Sequence, residues 1–180
     1  KVVMIQCVGA REQKGRTYCS RVCCMTAVKN AILIKELYPE TDVYILFRDL
    51  QTYGTHYEDW HRMAQDKGVK FINYALEKPP QVVRGKNGKI IVDVYHALLG
   101  EQVKINSDLL VLSTPLIPRE GTKELSQILK VPVGSDGFFF EAHVKLRPVD
   151  FGAEGVYLCG IAHYPKHIPE TISQAYGAAG

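Results

Sequence analysis

Four short apolar runs fix what this chain can fold into: Lys1 to Val8, Val43 to Phe47, Val69 to Tyr74, and Leu109 to Ser113. Each is too short for a stable helix and apolar nearly throughout, which is the pattern of a buried strand. A helix expected from near Ser20 through Leu37 separates the first two, with Ala27, Ala31, Ile34 and Tyr38 at helical spacing and Pro39 just past its end. An amphipathic helix over 57–67, with Trp60 and Met63 read as core and Gly68 as its stop, separates the second from the third. After Pro79-Pro80 come β segments at 81–84, 90–96 and 101–105, the first two joined by a hairpin turn at Gly85-Lys86-Asn87-Gly88. Strand, helix, strand, helix, strand, β-meander, strand is the order of a nucleotide-binding α/β domain, Rossmann-like and three-layered.

Beyond Pro118 the pattern changes. A short helix is expected over 123–129, short strands over 137–141 and 156–159, and a helix starting near Pro169, with Glu170 favourable in its first turn. A boundary near residue 115 separates a domain over 1–115 from a second part over 116–180. The chain opens on Lys1 directly before a strand and stops at Gly180 within a helix, so it reads as a piece of a longer polypeptide.

Five cysteines make an odd count, and four of them crowd into Cys7-x11-Cys19-x3-Cys23-Cys24. A disulfide framework would spread them through the chain; clustered thiols in an ordinary α/β sequence point to metal ligation in a reducing, cytoplasmic compartment. With 23% charged residues, a net charge of +3 and dispersed Lys and Arg, no nucleic-acid footprint appears, and no apolar run is long enough to span a bilayer. Adjacent cysteines on one helix point apart, which suits a broad iron–sulfur cube better than a single zinc ion. Zinc and unliganded buried thiols are the alternatives, the former implying an α/β interaction module without turnover. Cys159, alone on an apolar stretch, reads as a small core residue.

The turn after the first strand should be glycine-rich if it is to approach a dinucleotide's pyrophosphate. Here it carries cysteines instead, and Gly9 and Gly15 do not supply the spacing, so NAD is not expected at the usual place.

The stretches 3–9, 18–27, 42–49, 141–150, 165–170 and 173–175 together resemble the A subunit of heterodisulfide reductase, and the likeness runs from end to end. It implies a thioredoxin-reductase-like FAD/NAD(P)-binding fold, in which 1–115 is an inserted NAD(P)-binding-like domain and 116–180 is the C-terminal portion of the FAD domain. It also implies a [4Fe–4S] cluster on Cys7, Cys19, Cys23 and Cys24 beside FAD. The activity implied is electron transfer, with bifurcation to ferredoxin and a disulfide acceptor, as in methanogenesis. The partners implied are the other subunits of such a complex and ferredoxin or hydrogenase-type electron proteins; a homodimer is one assembly this allows. The glycine-rich FAD motif that precedes this region in the family is absent, and Pro115 stands where glycine is expected, so the stretch alone is expected to be inactive.

Within that resemblance Gly160, Ile161, Ala162 and the helix start at Pro169 and Glu170 are expected against the flavin. Lys29 and Lys166 would supply cations to its reduced forms, and His163 and His167 are candidate proton relays. No residue is expected to act as a catalytic acid, base or nucleophile.

Overall fold

The computed structural model describes residues 1–85 and 88–180. The chain divides into two compact units, Lys1–Gly9 with Cys23–Thr114, and Ala10–Val22 with Pro115–Gly180.

The first unit holds two sheets. β1 (Val2–Ile5), β2 (Val43–Phe47), β3 (Lys70–Asn73) and β7 (Leu109–Leu112) form a parallel sheet in the order β3-β2-β1-β7. Between them in sequence, β4 (Gln81–Arg84), β5 (Ile90–His96) and β6 (Glu101–Ser107) form an antiparallel meander. The apolar runs are continuous because both faces of the parallel sheet are covered. Val2, Met4, Val43 and Ile45 pack with Ala27, Val28, Ala31 and Ile32 of α1 (Cys23–Leu37) and Ala64 of α2 (Tyr57–Asp66). Their alternate neighbours Val3, Ile5, Leu46 and Ile72 pack against Val92, Val94 and Ile105 of the meander. Helices, parallel sheet and meander are therefore three layers, with the period-2 alternation of β1 and β2 serving two cores at once.

Several local expectations are corrected. α1 opens at Cys23, because Arg21 takes a left-handed φ of 60° that a helix cannot contain. Cys19 therefore precedes the helix and shares no helical face with Cys23. Tyr38 lies past the helix and is exposed. Trp60 and Met63 are also exposed, since small Ala64 is the α2 residue that meets the sheet. Residues 86–87 of the expected hairpin turn lie outside the described residues, although β4 and β5 do pair antiparallel.

The second unit has a smaller core of Val131, Phe139, Phe151 and Leu158. The expected strands at 137–141 and 156–159 are reduced to isolated bridges, Val133 to Phe139 and Asp150 to Tyr157. A strand needs a neighbour along its length to satisfy its peptide groups, and each stretch finds one only at a single residue. Cys159 is exposed rather than core, because Leu158 takes the inward position. Two helices complete the unit, α3 (Thr122–Leu129) and α4 (Ile168–Ala179). Among the described residues no helix is long and apolar enough to cross a membrane.

Candidate cofactor-binding site

Cys7 stands two residues past the buried end of β1 and holds a left-handed φ of 60°, a strained state for a residue with a Cβ. Its carbonyl accepts a hydrogen bond from Arg48 Nη2 at 2.8 Å. Cys23 and Cys24 open α1, where the positive end of the helix dipole favours thiolates. Cys7 and Cys24 are buried, and the Cys24 thiol lies 3.9 Å from the Asp49 carbonyl oxygen. Lys29, on the same helix, is exposed.

Cys19 belongs to the other unit, in the loop 10–22. That loop is fastened by Tyr18, whose hydroxyl donates to Leu116 O at 2.9 Å, and by Ser20, whose hydroxyl accepts from Leu116 N at 2.9 Å. The left-handed turn at Arg21 brings its own peptide N–H to Cys19 Sγ at 3.2 Å. An N–H donated to sulfur stabilises thiolate charge and is a recurrent feature around iron–sulfur clusters.

None of the five cysteines is in a disulfide. Among the described residues no three His, Cys, Asp or Glu side chains stand together as around one metal ion. The donor chemistry fits an iron–sulfur cluster: thiols only, two of them shielded from water, and one already receiving a peptide hydrogen bond.

The guanidinium of Arg21 reaches from this loop to the segment expected against flavin. Its Nη1 donates to Pro165 O at 3.3 Å, its Nη2 to Glu170 Oε1 at 2.6 Å, and it stands 5.4 Å from the Tyr164 ring centre. The other carboxylate oxygen of Glu170 caps α4 by accepting His167 N at 2.8 Å. Burial pushes the Glu170 carboxyl up, but the His167 N–H and Arg21 outweigh it and hold it below the usual range. Burial lowers the His167 imidazole despite the nearby Glu170.

Gly160 begins a 3-10 turn, Gly160–Ala162, at φ 68°, where a side chain would be strained. Lys166 is buried and its ammonium donates to Gly160 O at 2.6 Å, with the Tyr164 ring centre 3.9 Å away. Desolvation lowers its pKa to about 8, against the pull of Glu170. On the other side Gly160 N donates to Gln174 Oε1 at 2.9 Å, so the amide nitrogen of Gln174 faces His163 Nδ1 at 2.8 Å. His163 Nδ1 must then accept, leaving Nε2–H to donate to Glu141 Oε2 at 2.6 Å. His163 is thus a buried neutral imidazole; desolvation lowers its pKa more than Glu141 raises it. For Glu141 burial is outweighed by its own backbone N–H and by His163, and its carboxyl lies below the ordinary range.

Of the residues singled out in the sequence, Gly160, His163 and Lys166 thus join one hydrogen-bonded framework, and Glu170 belongs to a second one with Arg21 and His167. Ile161 and Ala162 are exposed, and with Ile117, Leu125, Phe138 and Phe139 they line a cavity of about 560 Å³. That volume and apolar lining suit part of a planar ligand. Pro169 is exposed beside it in sequence, in the first turn of α4, and has no N–H to offer. Arg21, Glu141, Tyr164 and Gln174 were not assigned these roles from sequence. Gln174 carried no readable signal, since only the fold brings it under Gly160.

No protein-family model matches the chain. It is 47% identical over 182 residues to the iron-sulfur A subunit of CoB–CoM heterodisulfide reductase from Methanocaldococcus jannaschii, covering 99% of this chain and 27% of that protein. It is 42% identical over 181 residues to the A subunit of H2:CoB-CoM heterodisulfide,ferredoxin reductase from Methanothermobacter thermautotrophicus, again 99% and 27%. Thioredoxin reductases share the fold: that of T. acidophilum with a TM-score of 0.59 at 18% identity, and that of Lactococcus lactis with 0.61 at 15%, each covering 99% of this chain and 50% of the other. The architecture is therefore the thioredoxin-reductase-like FAD/NAD(P)-binding α/β fold. The chain spans about a quarter of the length of the curated relatives it matches, and over nearly all of its own length it is homologous to that segment of heterodisulfide reductase A subunits.

Proposed function

We propose that this chain is the cluster-bearing and flavin-contacting part of an electron-transfer flavoprotein, with Cys7, Cys19, Cys23 and Cys24 holding a [4Fe–4S] cluster. In this reading 1–115 is the inserted NAD(P)-binding-like domain, and 116–180 the C-terminal portion of the FAD domain. The observation that carries it is a substitution of chemistry within an intact frame. The β1–α1 connection, where a dinucleotide-binding domain would cradle phosphates, carries cysteines at both of its ends.

When bound, FAD handles electron pairs or single electrons and the cluster carries one at a time. The chain's residues hold and tune. Cys19 receives the Arg21 N–H, and the Arg21 side chain ties that loop to Pro165 and Glu170. Lys166 and the Gln174–Gly160 bond fix both peptide groups of Gly160 beside Ile161 and Ala162. Lys166 would place positive charge near reduced flavin, as would Lys29 from α1. Ile161, Ala162, His163, Pro169 and Glu170 complete the flavin-side set.

By analogy with the relatives' names, the partners are other subunits of a heterodisulfide-reductase-like complex and ferredoxin or hydrogenase-type electron proteins, in the cytoplasm. Bifurcation to ferredoxin and a disulfide acceptor is the activity of the whole protein. The test is iron, sulfide, zinc and flavin analysis of the complete polypeptide purified anaerobically. No fewer than about four irons, and one FAD, are expected per chain, with a broad visible shoulder at roughly 400 nm. Stoichiometric zinc without iron overturns the assignment.

A further inference from the structure

Gln6 is wholly buried, at 0% exposure, and neither Nε2 nor Oε1 of its side chain has a hydrogen-bond partner. A buried amide without partners is costly, so native interiors rarely leave one unmet. The backbone around it is fully engaged: Gln6 N donates to Leu46 O, and Gln6 O accepts from the Tyr74 hydroxyl. The residue continues β1, whose alternate side chains Val2 and Met4 face α1. That alternation puts Gln6 on the same face, at the carboxyl end of the strand, immediately before Cys7. Parallel α/β sheets bind their ligands at this end.

We infer that the Gln6 side-chain amide is a hydrogen-bond donor to a sulfur of the cluster and so a positioning and potential-setting residue; this rests on the cluster reading proposed above. The Nε2–H group would face charge that grows on reduction, making the reduced cluster easier to reach. Leucine at this position would fit the same space and remove the donor, and a sheet with apolar neighbours would tolerate it.

The complete polypeptide, loaded anaerobically and labelled with 15N in glutamine side chains, provides the direct test. Pulsed electron paramagnetic resonance of the reduced cluster should show a 15N coupling that disappears in Gln6→Leu. Redox titration of the same variant should give a midpoint potential shifted to more negative values at unchanged iron content. In the metal-free protein Gln6→Leu should melt at a higher temperature than the parent, because the unmet amide is gone. A silent 15N spectrum with a loaded cluster, or an unshifted potential, overturns the role of Gln6 alone. If Gln6→Leu fails to load, the labelled parent protein decides by itself. A parent protein that takes up no iron overturns this inference together with the cluster assignment.

Discussion

Arg21 Nη2 and Glu170 Oε1 stand 2.6 Å apart, joining a residue two positions after Cys19 to the cap of the helix that follows the 160–166 turn. The pair spans 149 positions of sequence, so the cysteine loop and the flavin-side segment share one mechanical element. Glu170 does two things at once, accepting Arg21 with one oxygen and the His167 N–H with the other.

Glu170→Gln keeps an acceptor for the cap but removes the ionic partner of Arg21. Glu170 is part-exposed, so solvent screening reduces the loss to about 1 kcal/mol. Urea denaturation should show that loss, and it should shrink in high salt. Arg21→Leu should cost more, because Pro165 O also loses this donor and the Tyr164 ring keeps only the Lys166 ammonium of its two cations.

His163 gives a pH prediction whose sign follows from its lowered pKa. The native imidazole binds its proton less readily than the unfolded one, whose ordinary value is 6.5. Between the two values the unfolded chain holds more protons, so stability is full above 6.5 and falls as pH drops below it. Protonated Nδ1 would also confront the Gln174 amide N–H, forcing that amide to turn and to abandon Gly160 N. Acid titration followed by nuclear magnetic resonance should therefore show the Gly160 amide shifting together with the His163 ring. At neutral pH the ring nitrogens should report the Nε2–H form.

Lys166 predicts the opposite side of the pH scale. Its pKa of about 8 in the folded chain lies below the ordinary 10.5 because burial penalises the ammonium. Below pH 8 the penalty is fully present, of order 3 kcal/mol. As pH rises from about 8 towards 10.5 it is relieved, so this group makes stability increase across that window. Lys166→Met should flatten the rise and leave the chain at least as stable as the parent at pH 7. Chemical denaturation at pH 7, 8.5 and 10 checks both statements. An anionic ligand held beside the ammonium should move the window upward.

Much of this frame is legible in the sequence. The runs at 43–47, 81–84 and 90–96 match β2, β4 and β5 residue for residue, because continuous or alternating apolar runs bounded by Gly and Pro leave little choice. The sequence is less informative where backbone conformation departs from pattern. Nothing in Arg21 announces a left-handed residue, and that single φ moves the helix start from Ser20 to Cys23. The second unit departs from expectation at 137–141 and 156–159 because apolar runs suggest strands without revealing whether a partner will be there. At the candidate site, the types His163, Lys166 and Glu170 draw notice, while Gln174 and Arg21 owe their roles to contacts 14 and 149 positions away.

The cysteine assignment yields a prediction with an internal control. Cys7, Cys19, Cys23 and Cys24 are drawn from the β1–α1 connection, whereas Cys159 is exposed beside the 3-10 turn and has no assigned ligand role. Replacing Cys23 or Cys24 by Ala at the mouth of α1 should abolish cluster assembly, since each would leave an iron corner without its thiolate. Cys7→Ala should do the same, and should also relax a strained residue only slightly, because alanine keeps the Cβ at φ 60°. Cys159→Ala should retain full iron content. Anaerobic iron and sulfide analysis of these four single variants separates ligands from bystander: iron kept in Cys23→Ala or Cys24→Ala removes that residue from the set. Iron lost in Cys159→Ala brings in a thiol that the strand-to-helix pattern does not predict.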